Sequence, residues 1–228
     1  MIFHPLESGA SVEGNPIEAF RTDIKSKTHL YLIGGTHGDE VEGVYVLKEL
    51  FEWLKTEHSL EELPIVVVPI LNPDGYRAGT RVNSHAVDLN RNYPSANWNE
   101  TAKKAKYNPG PEALSEPENK FLEKLFNKFK PGFVLSFHSW KPLLNYNGDA
   151  KDIAEYLSSY NEYKIVPDIG YPTPGSLGTF VPETYHAGVL TFECPVLNDE
   201  LSLKDIWKEN AEGLKTLIKS DLLKAKLK

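Results

Sequence analysis

The run Gly34-Gly35-Thr36-His37-Gly38-Asp39-Glu40 sets an imidazole and a carboxylate three positions apart. It lies between the apolar stretch Leu30 to Ile33 and a helical pattern that opens at Val41. In a turn at a strand end both side chains can face one point, and neutral imidazole nitrogen and carboxylate oxygen are good ligands for Zn²⁺. Two more apolar stretches lead into groups of the same kind: Gly132 to Phe137 runs into His138, and Val189 to Phe192 runs into Glu193. Singly, each group has an ordinary reading as a solvated loop, a histidine satisfied at a sheet edge or a carboxylate paired with a lysine. Together they supply a His₂Glu ligand set with one carboxylate to spare. Three protein ligands leave a position for water, and a nearby carboxylate can take its proton.

The elements that must position these groups follow from periodicity. Leu30 to Gly34 and Ile65 to Leu71 read as buried strands, and Gly132 to Phe137 and Val189 to Phe192 as two more. Val41, Val44, Leu47, Leu50, Phe51 and Leu54 recur at helical spacing over Val41 to Lys55, as do Phe121, Leu122, Leu125, Phe126 and Phe129 after Ser115-Glu116-Pro117-Glu118, which reads as a capping box. Ala150 to Tyr160 reads as a short helix, and Ser202 caps a last one bearing Leu203, Ile206, Trp207, Leu214, Leu217 and Ile218. Glu13-Gly14-Asn15-Pro16 predicts a β-hairpin over Val12 to Thr22, and Asn72-Pro73-Asp74-Gly75 predicts a turn. The long polar stretch from Gly75 to Ala113 is poorly periodic, as functional loops often are. Strands alternating with helices predict an α/β sandwich with a largely parallel sheet, its ligand-bearing residues at carboxyl ends of strands.

Composition bounds the remaining choices. The chain's 228 residues suit one substantial core, and 40% hydrophobic with 25% charged residues is the balance of a globular protein. A formal charge of −7 and the lack of a basic stripe argue against a nucleic-acid partner; Lys103-Lys104-Ala105-Lys106 and the Lys224 to Lys228 tail read as solvated surface. Cys194 is the only cysteine, which excludes an intrachain disulfide and a thiolate metal cluster. The opening Met1-Ile2-Phe3-His4-Pro5-Leu6-Glu7 has neither a basic nor an apolar leader pattern, and no stretch is long enough to span a bilayer. The expectation is a cytoplasmic protein without a membrane partner.

With these pieces in order, the chain resembles the zinc carboxypeptidases of the carboxypeptidase A type. The matching pieces are His37-x-x-Glu40, Asn72-Pro73-Asp74-Gly75, Arg81, Val87-Asp88-Leu89-Asn90-Arg91-Asn92-Tyr93-Pro94, His138-Ser139-Trp140 and Thr191-Phe192-Glu193. They cover about residues 30 to 195. The short length, the Gly-Asp between His37 and Glu40, and Gly170-Tyr171-Pro172-Thr173-Pro174-Gly175-Ser176 look like the family's murein peptide amidase A branch, which cleaves the γ-D-glutamyl–meso-diaminopimelate bond of cell-wall peptides.

The resemblance implies a three-layer α/β sandwich with a mixed, largely parallel central sheet, a single catalytic domain over 1–228, one Zn²⁺ per chain and a small murein peptide as substrate. It implies His37, Glu40 and His138 as the zinc ligands and Glu193 as the general base that activates the attacking water and then protonates the leaving amine. Arg81 would stabilise the developing oxyanion, Asn90 and Arg91 would grip the substrate's terminal carboxylate, and Asp88 would fix the tautomer of His37. Tyr171 lies one place from where the family commonly sets a mobile tyrosine over the substrate, and Leu177, with Ser176 and Gly178, falls in the specificity segment. Trp140, Tyr146 and Asn147 are further lining candidates. Two other readings stand beside this one: an N-acyl amino-acid deacylase like aspartoacylase or succinylglutamate desuccinylase, which shares the Gly-rich His-Gly-x-Glu turn and the Asp-Leu-Asn-Arg run, and a catalytically inactive binding module on the same fold.

Overall fold

The four stretches that read as strands form the parallel centre of the sheet. In the computed structural model, which describes residues 1–57, 59 and 63–228, they are β5 (His29–Ile33), β6 (Ile65–Val68), β7 (Pro131–Trp140) and β10 (Gly188–Pro195). They lie in the order β6-β5-β7-β10 with every pairing parallel. Strands covered on both faces read as unbroken apolar runs, which is why these four were visible. The outer strands are short: β1 (Phe3–Pro5) and β4 (Phe20–Thr22) on the β6 side, β8 (Leu143–Asn147) and β9 (Lys164–Val166) beyond β10. β4 and β8 pair antiparallel with β6 and β10, so the eight-stranded sheet is mixed.

Alternation along the central strands feeds two cores. Leu30, Leu32, Ile65, Val67, Leu135, Phe137, Leu190 and Phe192 pack with α1 (Val41–Thr56), α4 (Lys151–Asn161), α6 (Leu203–Lys219) and α7 (Asp221–Ala225). Tyr31, Ile33, Val66, Val68, Val134 and Val189 point the other way, onto α3 (Pro117–Lys128) and α5 (Leu177–Tyr185). Helices on both faces of a sheet are the expected three-layer sandwich.

Several local expectations are corrected. Asn72-Pro73-Asp74-Gly75 opens a short helix, α2 (Pro73–Ala78), because the Asn72 side chain accepts from Gly75 N at 2.9 Å and Pro73 suits the first helical position. The hairpin lies earlier than predicted and joins β2 (Gly9–Ala10) to β3 (Pro16–Ile17), because Ser11 and Asn15 are both captured by Asp74 and the turn spans Ser11 to Asn15. Ser115 forms no capping box: α3 starts at Pro117, so Ser115 stands one position too early and its hydroxyl donates to the Glu116 carboxylate. Ser202 does form one, with Asp205.

Candidate active site

Because β7 and β10 are parallel neighbours, their register decides what meets at the carboxyl edge of the sheet. Glu193 pairs with His138. Both side chains project on the same face as Val134 and Val189, by the two-residue repeat of the strands. One strand over, β5 ends at Ile33 and the chain turns through His37 before α1 begins after Glu40. Glu40 stands at the N-cap position without capping the helix with its side chain, which leaves the carboxylate free for the site. Two glycines permit this turn to sit so close. A Cβ at Gly38 would overlap the backbone of Gly75, and one at Gly43 would press on the backbone at Phe137 and His138, where α1 crosses β7.

His37, Glu40 and His138 converge. His37 Nδ1 lies 2.7 Å from Glu40 Oε1, His138 Nδ1 lies 2.7 Å from Glu40 Oε2, and the two Nδ1 atoms are 3.2 Å apart. Each imidazole is secured at its other nitrogen: His37 Nε2 donates to Asp88 Oδ1 at 3.0 Å, and His138 Nε2 lies 3.1 Å from Ser136 Oγ. The ligand atoms of all three residues fall within 4.8 Å of one another. Two buried imidazole lone pairs and a carboxylate aimed at one point fit a Zn²⁺ ion, which prefers nitrogen and oxygen donors of this kind.

The electrostatics of the cluster are unusual. Burial opposes a charged His37, but Glu40 and Asp88 outweigh it and hold its pKa up at about 9. Burial likewise opposes an ionised Glu40, yet His37 and His138 keep it below the usual carboxylate range. His138 is pulled down, chiefly by burial. Asp88, fully buried, accepts from His37, from Asn90 N at 2.9 Å and from Arg81 Nε at 3.0 Å; the charges of His37, Arg81 and Arg91 hold it ionised against burial. Glu193 is the reverse case: burial, with Glu40 adding, pushes it up to about 8, and its buried Oε2 finds no partner among the described residues. A dication between the ligands would act on Glu193 in the opposite sense.

The cluster opens into a cavity of about 380 Å³ whose wall includes Arg81, Asn90, Arg91, Tyr171 and Glu193. Arg81 bridges Asp88 and Glu40, the latter at 3.3 Å. Arg91 is 5% exposed, and its guanidinium pairs with no carboxylate among the described residues; its Nη1 donates to the Asn90 carbonyl at 2.6 Å. Burial lowers its pKa without threatening its charge. A buried cation without a counter-ion is costly unless an anion arrives. Asn90 Oδ1 accepts from Leu177 N at 2.8 Å, leaving its amide nitrogen for other partners.

Leu177 is a correction to the sequence reading. Its side chain is buried in the core beside Phe180 and Val181, and Ser176 and Gly178 line the cavity in its place. Trp140 and Asn147 are on the wall; Tyr146 packs against the other core instead. Two residues of the cavity wall carried no signal in their spacing. Glu42, in the first turn of α1, accepts from Ser139 Oγ at 2.6 Å and Leu197 N at 2.8 Å, tying the ends of β7 and β10 to the helix. Tyr107, hidden beside the lysine-rich stretch, lies against both Arg81 and Arg91, and Lys106 reaches the cavity rim.

The chain matches the zinc carboxypeptidase family over residues 2–196. It is 32% identical to murein peptide amidase A of Vibrio campbellii across 88% of this chain and 83% of that one. The figures for murein peptide amidase A of Escherichia coli K12 are 33%, 86% and 84%. Its structure superposes on murein-tripeptide amidase from Escherichia coli O157 with a TM-score of 0.75 at 28% identity, covering 93% of this chain and 90% of the other. Carboxypeptidase A from Helicoverpa armigera shares the fold, with a TM-score of 0.77 at 17% identity over 96% of this chain and 68% of that chain. By sequence and by fold, the chain belongs to the zinc carboxypeptidase family and is a zinc-dependent hydrolase.

Proposed function

We propose that this chain is a metallopeptidase that hydrolyses the γ-D-glutamyl–meso-diaminopimelate amide bond of murein peptides, binding one Zn²⁺ through His37, Glu40 and His138. Zinc held there supplies Lewis acidity for the scissile carbonyl and for water. Glu193, whose Oε2 finds no partner among the described residues, takes the proton from the attacking water and returns it to the leaving amine nitrogen. Arg81, a permanent cation on the cavity wall, faces the oxyanion that forms on the former carbonyl. Asp88 holds both Arg81 and His37 in place. Arg91 and the free amide nitrogen of Asn90 bind the carboxylate next to the scissile nitrogen, and Tyr171 covers the bound peptide from the mouth.

The observation that carries this reading is the buried guanidinium of Arg91, without a carboxylate partner among the described residues, in the same cavity as the metal-ligand cluster. A carboxylate held by Arg91 directs the cut to the substrate's last amide. The murein substrate is supported by the two curated relatives named above, both murein peptide amidases. The test is incubation of zinc-loaded protein with L-Ala-γ-D-Glu-meso-diaminopimelate and detection of free diaminopimelate by mass spectrometry. Release of diaminopimelate is the expected result. An inert tripeptide together with rapid cleavage of simple N-acyl amino acids would overturn the reading in favour of a deacylase.

A further inference from the structure

Arg81 and Arg91 bring like charges into one corner of the cavity, and a single aromatic ring lies against both. Their Cζ atoms are each 5.4 Å from the centre of the Tyr107 ring. At that range a ring face attracts a guanidinium, more strongly where water is excluded. Arg81 has Asp88 and Glu40 to hold it, whereas the Arg91 guanidinium has the Asn90 carbonyl and this ring. The exposed Lys106 also approaches the ring, 5.1 Å from its centre.

The chain fixes Tyr107 in this place through its neighbour. Asn108 takes a hydrogen bond on its carbonyl from Asp88 N at 2.8 Å and gives one from Nδ2 to the Ala86 carbonyl at 3.0 Å. The loop bearing Tyr107 is thus tied to the segment bearing Asp88, Asn90 and Arg91. Tyr107 also stacks on Tyr171, with ring centres 6.2 Å apart.

We propose that Tyr107 is a positioning residue: its ring face holds the Arg91 guanidinium in the orientation that receives the substrate carboxylate and keeps it apart from Arg81. This rests on the reading of Arg91 as the carboxylate anchor. The ring face carries the effect and the phenolic hydroxyl does not, so Tyr107→Phe keeps the function and Tyr107→Leu loses it.

The test uses zinc-loaded protein and two measurements. In the first, the guanidinium Nε–H signals are followed by NMR. The Arg91 signal should move towards that of free arginine in Tyr107→Leu and stay in place in Tyr107→Phe. In the second, hydrolysis of the tripeptide by Tyr107→Leu should lose about tenfold in kcat/KM, mainly through KM, while Tyr107→Phe stays within about twofold of wild type. In an Arg91→Ala background Tyr107→Leu should cost much less, because the two act as a unit. Should Tyr107→Leu fail to fold, Tyr107→Gln takes its place. An unmoved Arg91 signal with an unchanged KM would overturn the proposal, as would equal losses in the Phe and Leu variants. If Arg91→Ala alone leaves hydrolysis of the tripeptide intact, the carboxylate reading fails, and the NMR comparison still decides whether Tyr107 holds Arg91.

Discussion

Asp88 Oδ1 lies 3.0 Å from His37 Nε2, across the imidazole from the nitrogen that faces Glu40 and His138. A buried carboxylate there keeps the proton on Nε2 and the Nδ1 lone pair on the metal-ligand side. Asp88→Asn is therefore expected to weaken zinc affinity by about 10–100-fold. Competition against a chromophoric chelator measures this, and an unchanged affinity would show that His37 needs no such partner.

Glu193→Gln keeps the shape of the site and removes the proposed proton acceptor. Zinc content should stay at the wild-type level while the catalytic rate falls by about 10²–10⁴-fold. Metal analysis beside single-turnover hydrolysis separates the two effects. Near-normal turnover would mean that another group accepts the proton.

Arg91 should discriminate between a free acid and its amide. Replacing the carboxylate next to the scissile nitrogen by a carboxamide removes a charge and turns one acceptor into a donor facing the guanidinium. Loss of a charge-assisted pair in a desolvated pocket costs on the order of 2–5 kcal/mol. The amidated peptide should be a far poorer substrate for wild type, and Arg91→Ala should impair the free acid much more than the amide. Equal hydrolysis of acid and amide by wild type would point to an endopeptidase.

Arg81→Ala should lower the catalytic rate more than it weakens substrate binding, because in the proposed mechanism its charge faces the oxyanion, which exists only along the reaction path. Steady-state kinetics give the split. A raised KM with an unchanged kcat would assign Arg81 to substrate binding.

Away from the cavity, Asp74 pins the β2–β3 hairpin to α2 by accepting from Ser11 Oγ, Asn15 Nδ2 and Glu13 N. Burial opposes its ionised form, but these donors outweigh it and lower its pKa. Since the folded carboxyl is depressed relative to the unfolded one, its contribution is full above the ordinary carboxylate range and is lost as the pH falls through that range. Asp74→Ala should destabilise by about 1–3 kcal/mol at neutral pH, by leaving donors unpaired. Urea unfolding should show the gap narrowing in acid. A gap independent of pH would remove the charge from this account.

The ligand types and the parallel heart of the sheet were legible in the residues alone. Buried strands such as Leu30 to Ile33 and Val189 to Phe192 announce themselves because both faces are covered, and His37, Glu40, His138 and Glu193 stand where such strands end. The edges were not legible. β1, β4 and β9 are three residues each, too short for alternation to register, and α5 contains Pro182 and Gly178, which weaken any helical reading. Turn chemistry was ambiguous at Asn72-Pro73-Asp74-Gly75, because an Asn side chain accepting from a backbone N–H three residues on closes a turn or caps a helix equally well. Only the tertiary structure decided which side chains reach the cavity. Leu177 faces the core while Ser176 and Gly178 face the cavity, since one step along the helix start rotates a side chain by about 100°. The packing of Tyr107 against two arginines far from it in sequence depends on a loop docked by Asn108, a contact that no local pattern encodes.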